Sequence, residues 1–129
     1  MTGENVNKEL AERATILDQR LKILKADLEK IAALLIEFEK AKASIKGFME
    51  NDDSYVQVGA GIMVKAKINK DEVLVPVGAG YFIKTSPEKA IKKIDELIEL
   101  THKNHDKINE EVKKAERELI DIMKKVRFA

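Results

Sequence analysis

Two nearly identical phrases, VQVGAGIMVKA from Val56 and VPVGAGYFIKT from Val75, hold glycines of the kind that could cradle a phosphate. A phosphate loop sets such glycines between a strand and a helix N-terminus, where backbone N–H groups and the helix dipole converge on the anion. Here each Gly-Ala-Gly lies between two runs of β-branched and aromatic residues. The glycines are therefore read as a sharp bend, a bulge or a close strand crossing, and no nucleotide site is assigned. His102 and His105 are three apart on one helical stretch, a spacing a metal can use, but no third ligand with recognisable spacing accompanies them. A buried His105 would make the structure loosen as pH falls, because burial disfavours the charged imidazole. The cluster from Asn51 to Asp53 lacks the spaced oxygen donors of a calcium loop and reads as a helix-ending turn. Carboxylates in runs such as EEVKKAEREL suit a solvated helix surface with i,i+4 ion pairs, which offers a hydrolase no pocket. With no cysteine, disulfides, thiolate zinc sites and a thiol nucleophile are excluded together. No catalytic, cofactor or metal-binding residue is assigned, and the chain is not expected to be an enzyme.

Charge narrows the partners. Lys plus Arg number 24 against 23 Asp plus Glu, a formal net charge of +1, so no basic field gathers nucleic acid or an anionic membrane. Charged residues make up 36% of the chain and Trp is absent, which suits long solvated helices better than a thick compact core. The start, MTGENVNKELAER, has no basic segment leading into an apolar one, and no window reaches about 18 uninterrupted apolar residues. The expectation is one soluble, cytoplasmic domain over residues 1–129.

The elements that must position any site follow from two periodicities. From Asn5 to Met49 the apolar positions fall in a 4,3,4,3 rhythm: Leu10, Ala14, Leu17, Leu21, Leu24, Leu28, Ile31, Leu35, Phe38, Lys42, Ile45 and Met49, with Lys42 the one charged member. Such a seam predicts a coiled-coil helix over 4–50, roughly 65 Å long. A second helix is predicted over 86–128, with Ser86 as cap, Pro87 in the first helical position and Glu88 complementing the dipole. Its seam runs Ile91, Ile94, Ile98, Thr101, His105, Ile108, Val112, Ala115, Leu119, Ile122, Val126. Folded back on the first helix, it keeps register from Met49 opposite Ile91 to Ala14 opposite Val126, with Phe38 facing Thr101 and Leu24 facing Ala115. An antiparallel helical hairpin is expected. Ile16, Ile23, Ile120, Met123 and Phe128 lie off the seam at the end farthest from the connecting segment; Leu34, Ile36, Leu97 and Leu100 lie off it nearer the connection.

Between the helices the period changes to two. Residues 54–85 hold four strand candidates, Tyr55 to Val58, Ile62 to Ile68, Val73 to Val77 and Tyr81 to Ile83, with NKDE as a polar turn between the second and third. The duplication predicts two small hairpins or one four-stranded piece, with Pro76 near an edge or bulge. Four short strands on one helix pair would leave unpaired edges and an uncovered apolar face, which invite other chains. The segment is therefore expected to be an oligomerisation platform built on Val56, Val58, Ile62, Val64, Val75, Val77, Tyr81, Phe82 and Ile83.

Helix, four strands and helix in that order, the doubled VGAG, VLVPVGAGYFIKT and a closing IMKKVRF resemble a prefoldin subunit of the archaeal alpha class, over essentially the whole chain. The beta class has one hairpin between its helices; two units here favour alpha. The resemblance implies an ATP-independent chaperone in which two alpha and four beta subunits join their hairpins into a double β-barrel carrying six coiled-coil arms. It implies non-native polypeptide held between arm tips and passed to a group II chaperonin, with no cofactor. By position the client-holding tips would be about 4–23 and 116–129, and the residues assigned are Leu10, Ile16, Leu17, Ile23, Leu119, Ile120, Ile122, Met123, Val126 and Phe128. VPVGAG stands in the second unit rather than the first, which leaves a gamma-type, filament-forming relative open as the alternative.

Overall fold

The computed structural model describes residues 3–128, with side chains described as far as Val126. The order is α1 (Gly3–Glu50), β1 (Asp53–Gly59), β2 (Ile62–Lys67), β3 (Val73–Gly78), β4 (Tyr81–Thr85) and α2 (Pro87–Phe128), an α+β arrangement. The chain divides into two compact units, residues 1–34 with 101–129 and residues 35–100.

In the first unit the two helices bury Leu21 and Leu24 against Val112 and Ala115, with Leu17, Leu28, Ile108 and Leu119 packed around them. All eight are seam residues. Leu24 gains room because Ala115 is small, the large-against-small fit that knobs-into-holes packing needs. Ion pairs Arg20–Glu111, at 3.8 Å, and Lys25–Glu116, at 3.9 Å, cross between the helices outside the seam. Both are exposed, so each is worth at most about 1 kcal/mol.

In the second unit α2 begins as its sequence dictates. Ser86 Oγ accepts the N–H of Lys89 at 3.3 Å and the Ser86 carbonyl accepts that of Ala90 at 2.9 Å, satisfying two donors of the first turn. Pro87 and Ala90 are buried, and Ile94 continues the seam at 7% exposure. Opposite them, Lys42 keeps its seam position by donating from Nζ to Asp95 Oδ1 at 2.5 Å. At the other end of the connection Asn51 Nδ2 donates to the Gly47 carbonyl at 3.0 Å, capping α1. Lys70 then reaches Asp52 at 2.8 Å, and that hydrogen bond, aided by the ammonium charge, holds the Asp52 carboxyl below the usual carboxylate range.

The strands form two separate antiparallel pairs, β1–β2 and β3–β4, rather than one four-stranded sheet. Val56 faces Val64 in the first and Val75 faces Ile83 in the second. The doubled phrase builds the same turn twice: φ is positive at Ala60 (49°) and Gly61 (76°), and again at Ala79 (51°) and Gly80 (78°). Two consecutive positive φ values are those of a type I′ turn, whose twist matches the flanking strands. An alanine in that region costs about 1 kcal/mol. In each hairpin the register shifts just before the turn, between Gln57 and Gly59 and between Pro76 and Gly78, so the bulge falls at Val58 and Val77. Pro76 stands beside that bulge in a two-stranded sheet, where its missing N–H is tolerated.

Candidate binding and assembly surfaces

The heptad pattern sorts the helical side chains. Every α1 seam residue from Leu10 to Met49 is buried or half-buried, whereas Ile16 and Ile23 are each 64% exposed. On α2 the seam is likewise covered until Val126, and Ile120 and Met123 stand out from it into solvent.

Toward the chain ends the packing opens. A hollow of about 660 Å3 is lined by Ala11 and Ala14 of α1 and by Ile120, Ile122, Met123, Lys124 and Val126 of α2. Its cause is compositional: Ala14 occupies a seam position where a leucine would fill the space, and Ala11 lies one turn before it. Ile122 is buried at 3% exposure and forms the floor, while Ile120 and Met123 also border a smaller depression with Leu21 and Leu119. Lys22, Lys25, Asp18 and Glu116 rim that depression. Such an arrangement offers apolar contact to a flexible segment while charged neighbours keep the surface wet.

Four of the sequence-assigned residues, Ile120, Ile122, Met123 and Val126, are thus gathered in one place. Leu10, Leu17 and Leu119 are half-buried in the seam, and Ile16 and Ile23, seven apart, form an exposed stripe outside both hollows. The side chain of Phe128 lies outside the described residues. Ala11 and Ala14 were missed as lining residues; the available signal was a small side chain in the seam near its end.

The hairpins expose most of their apolar side chains: Val58, Ile62, Val64, Val77, Tyr81, Phe82 and Ile83 are all open to solvent, with Val56 at 38% and Val75 half-buried. Pairing register and pleat assign the faces. In the first hairpin Val56 and Val64 share a face with Ser54 and Ala66, and the other face mixes Tyr55 and Met63 with Lys65 and Gln57. The second hairpin is more apolar: Val73, Val75 and Ile83 lie with Thr85 on one face, and Leu74, Pro76 and Phe82 with Lys84 on the other. Leu74, Tyr55 and Met63 are exposed strand residues that the platform assignment omitted.

Other chemistry is not assembled. His105 is 38% exposed with Nδ1 3.6 Å from Asp106 Oδ1, so it is not the buried imidazole that its seam position suggested; α2 presents it at the margin of the seam. Among the described residues no three His, Asp or Glu side chains converge as metal ligands, and no helix is long and apolar enough to cross a membrane.

Long paired helices joined by exposed hairpins define the class, and the comparisons place it. The family model described as Prefoldin subunit matches residues 7–127, and the chain belongs to the prefoldin family, a chaperone and structural family whose members form oligomers. No match is found among curated protein sequences. Among solved structures, filamentous PFD from Methanocaldococcus jannaschii, determined by cryo-EM, is similar with a TM-score of 0.77 and 19% identity, over 89% of this chain and 98% of that one. At that identity the likeness is one of fold.

Proposed function

We propose that this chain is a subunit of an ATP-independent chaperone that holds non-native polypeptide at the open end of its helix pair and assembles through its hairpins. The observation that carries the reading is the apolar hollow floored by Ile122 and bordered by Ile120, Met123 and Val126, set among lysines with Asp18 and Glu116. Weak apolar contacts of this kind hold an unfolded chain when several subunits present them together, because each further contact is intramolecular. Leu10, Leu17 and Leu119 join the contact surface where the helix ends part; Ile16 and Ile23 extend it along α1. Assembly would bury Val56, Val58, Ile62, Val64, Val75, Val77, Tyr81, Phe82 and Ile83. The expected partners are beta-class subunits in a hexamer, unfolded clients and a group II chaperonin, in the cytoplasm.

The decisive assay is aggregation of a chemically unfolded protein on dilution. The full chain, alone or with a beta-class partner, should suppress it without ATP. Removal of residues 1–12 and 119–129 should abolish protection and leave the oligomer intact. Equal protection by the shortened chain would eliminate the end-capture mechanism.

A second reading, a filament-forming structural subunit of gamma type, is favoured by the likeness to filamentous PFD. Light scattering separates the two. Long polymers from this chain alone support the filament, and a discrete hexamer formed only with beta-class subunits supports the chaperone hexamer.

A further inference from the structure

The chain has four methionines and no cysteine, so its sulfur chemistry is confined to thioethers. Their surroundings differ. Met1 lies outside the described residues. Met49 is half-buried where α1 ends, lining a small cavity with Phe48, Ile68 and Val73. Met63 is exposed on β2, opposite Gln57, in the hairpin that assembly would use. Met123 is 60% exposed and belongs to neither the seam nor the hairpins; it borders both the large hollow, with Ile122 and Val126, and the smaller depression, with Leu21 and Leu119. Among the described residues it is the one sulfur in either lining, and its apolar neighbours there are hydrocarbon side chains that a mild oxidant leaves alone.

We propose that Met123 is an oxidation site through which a peroxide turns down the hold on unfolded chains. In the step, the Met123 sulfur attacks the terminal oxygen of a hydroperoxide. The S–O bond forms as the O–O bond breaks, and the proton of the transferred oxygen passes to the departing one. Sulfur loses the two electrons that reduce hydrogen peroxide to water, or an alkyl hydroperoxide to its alcohol. The sulfoxide replaces a polarizable, apolar atom by a strong dipole and hydrogen-bond acceptor. Position decides the consequence. Because both depressions share Met123, one oxygen atom wets both, and a client side chain laid against it must either strip that oxygen of its hydrogen-bond partner or give up the contact. Lys22 and Lys25 rim the smaller depression with N–H donors to spare beyond their ion pairs with Asp18 and Glu116, so partners for the sulfoxide stand at the rim. Folding is spared, since the sulfur is exposed and the neighbouring seam residues Leu119 and Ile122 carry the packing. The inference rests on the client-holding reading of this end of the helix pair and adds its regulation.

The test treats the full chain with hydrogen peroxide, removes the excess with catalase, and then dilutes a chemically unfolded protein into it, with mass spectrometry locating the added oxygen. Met123 should be oxidised ahead of Met49, and about threefold or more of the treated parent should be needed for half-protection. Methionine sulfoxide reductases, one for each epimer, should restore the original value. Each variant is read as treated against untreated protein. Met123→Leu, whose side chain cannot take up the oxygen, should be indifferent to treatment. Met49→Leu with Met63→Leu, which keeps Met123, should lose protection as the parent does. Circular dichroism and light scattering of the parent should be the same before and after treatment. Failure of the untreated parent to protect would bring down the client-holding reading and this inference with it. Protection by the untreated parent that survives oxidation of Met123, or an equal loss in Met123→Leu, would overturn this inference alone. So would a loss accompanied by dispersal of the oligomer, which would assign the effect to Met63.

Discussion

Lys42 is the one charged side chain in the apolar seam of α1, and its surroundings show what the seam tolerates. Its side chain is 24% exposed and its ammonium is held by Asp95 at 2.5 Å. That hydrogen bond, with the negative charges of Asp95 and Glu39 adding to it against the pull of desolvation, raises its pKa above the usual 10.5. A raised value in the folded state means a contribution fully present below about pH 10.5 and lost as pH climbs through the folded value. The melting temperature of the parent, compared with that of Lys42→Met, should therefore fall relative to the variant as pH rises past 10.5, and the gap should be level between pH 6 and 9. A gap that stays constant into the alkaline range would show that the pair contributes nothing through ionisation. The sequence marked Lys42 as the exception but not its partner. Strict seam pairing puts Ile98 opposite it, and Asp95 lies three residues before Ile98, off the seam, where only the actual side-chain path makes the contact.

At the scale of elements, the heptad repeat decides which residues carry folding and which are free for other work, and neighbouring positions separate the two. Leu24 is buried in the first unit against Val112 and Ala115, while Ile23 beside it is 64% exposed. Leu24→Ala should destabilise that unit by about 2–5 kcal/mol, since the rigid partner helix cannot close the cavity. Ile23→Ser should leave stability within about 0.5 kcal/mol yet weaken retention of an unfolded client; thermal melts and the dilution assay read the two effects. An Ile23→Ser variant that protects clients as well as the parent would remove that stripe from the binding surface. Both helices and both hairpins were legible because periods of 3.5 and 2 are local properties of the chain, and the repeated phrase announced that one turn is made twice. The hollow beside Ala14 was not legible. It depends on what is missing across a gap between helices distant in sequence, and apolar periodicity reports only what is present. The same limit hid Leu74, whose exposure is known only once Val75 and Ile83 are assigned to the opposite face.

For the whole molecule the governing fact is that its strands are unfinished within one chain. Two separate two-stranded sheets carry exposed Val58, Ile62, Leu74, Tyr81 and Phe82, and hairpins of this size are marginally stable in water unless something covers their apolar faces. Members of this chain's family form oligomers, and the proposed assembly would cover that surface. Ile62 and Phe82 make a clean test because neither substitution sets a new charge against another across its hairpin: Ile62 pairs with Gly59 and Phe82 with Pro76. Both are more than half exposed in the single chain, at 61% and 60%, so Ile62→Glu with Phe82→Glu should change the helical signal and melting of dilute chain little. In an assembled platform the same carboxylates would be desolvated without partners, at a cost of several kcal/mol each, enough to dissociate it. Light scattering should report the monomer mass for the double variant under conditions where the parent is oligomeric. If the variant keeps the parent's mass, assembly runs through another surface and the hairpins need a different explanation for their exposed faces.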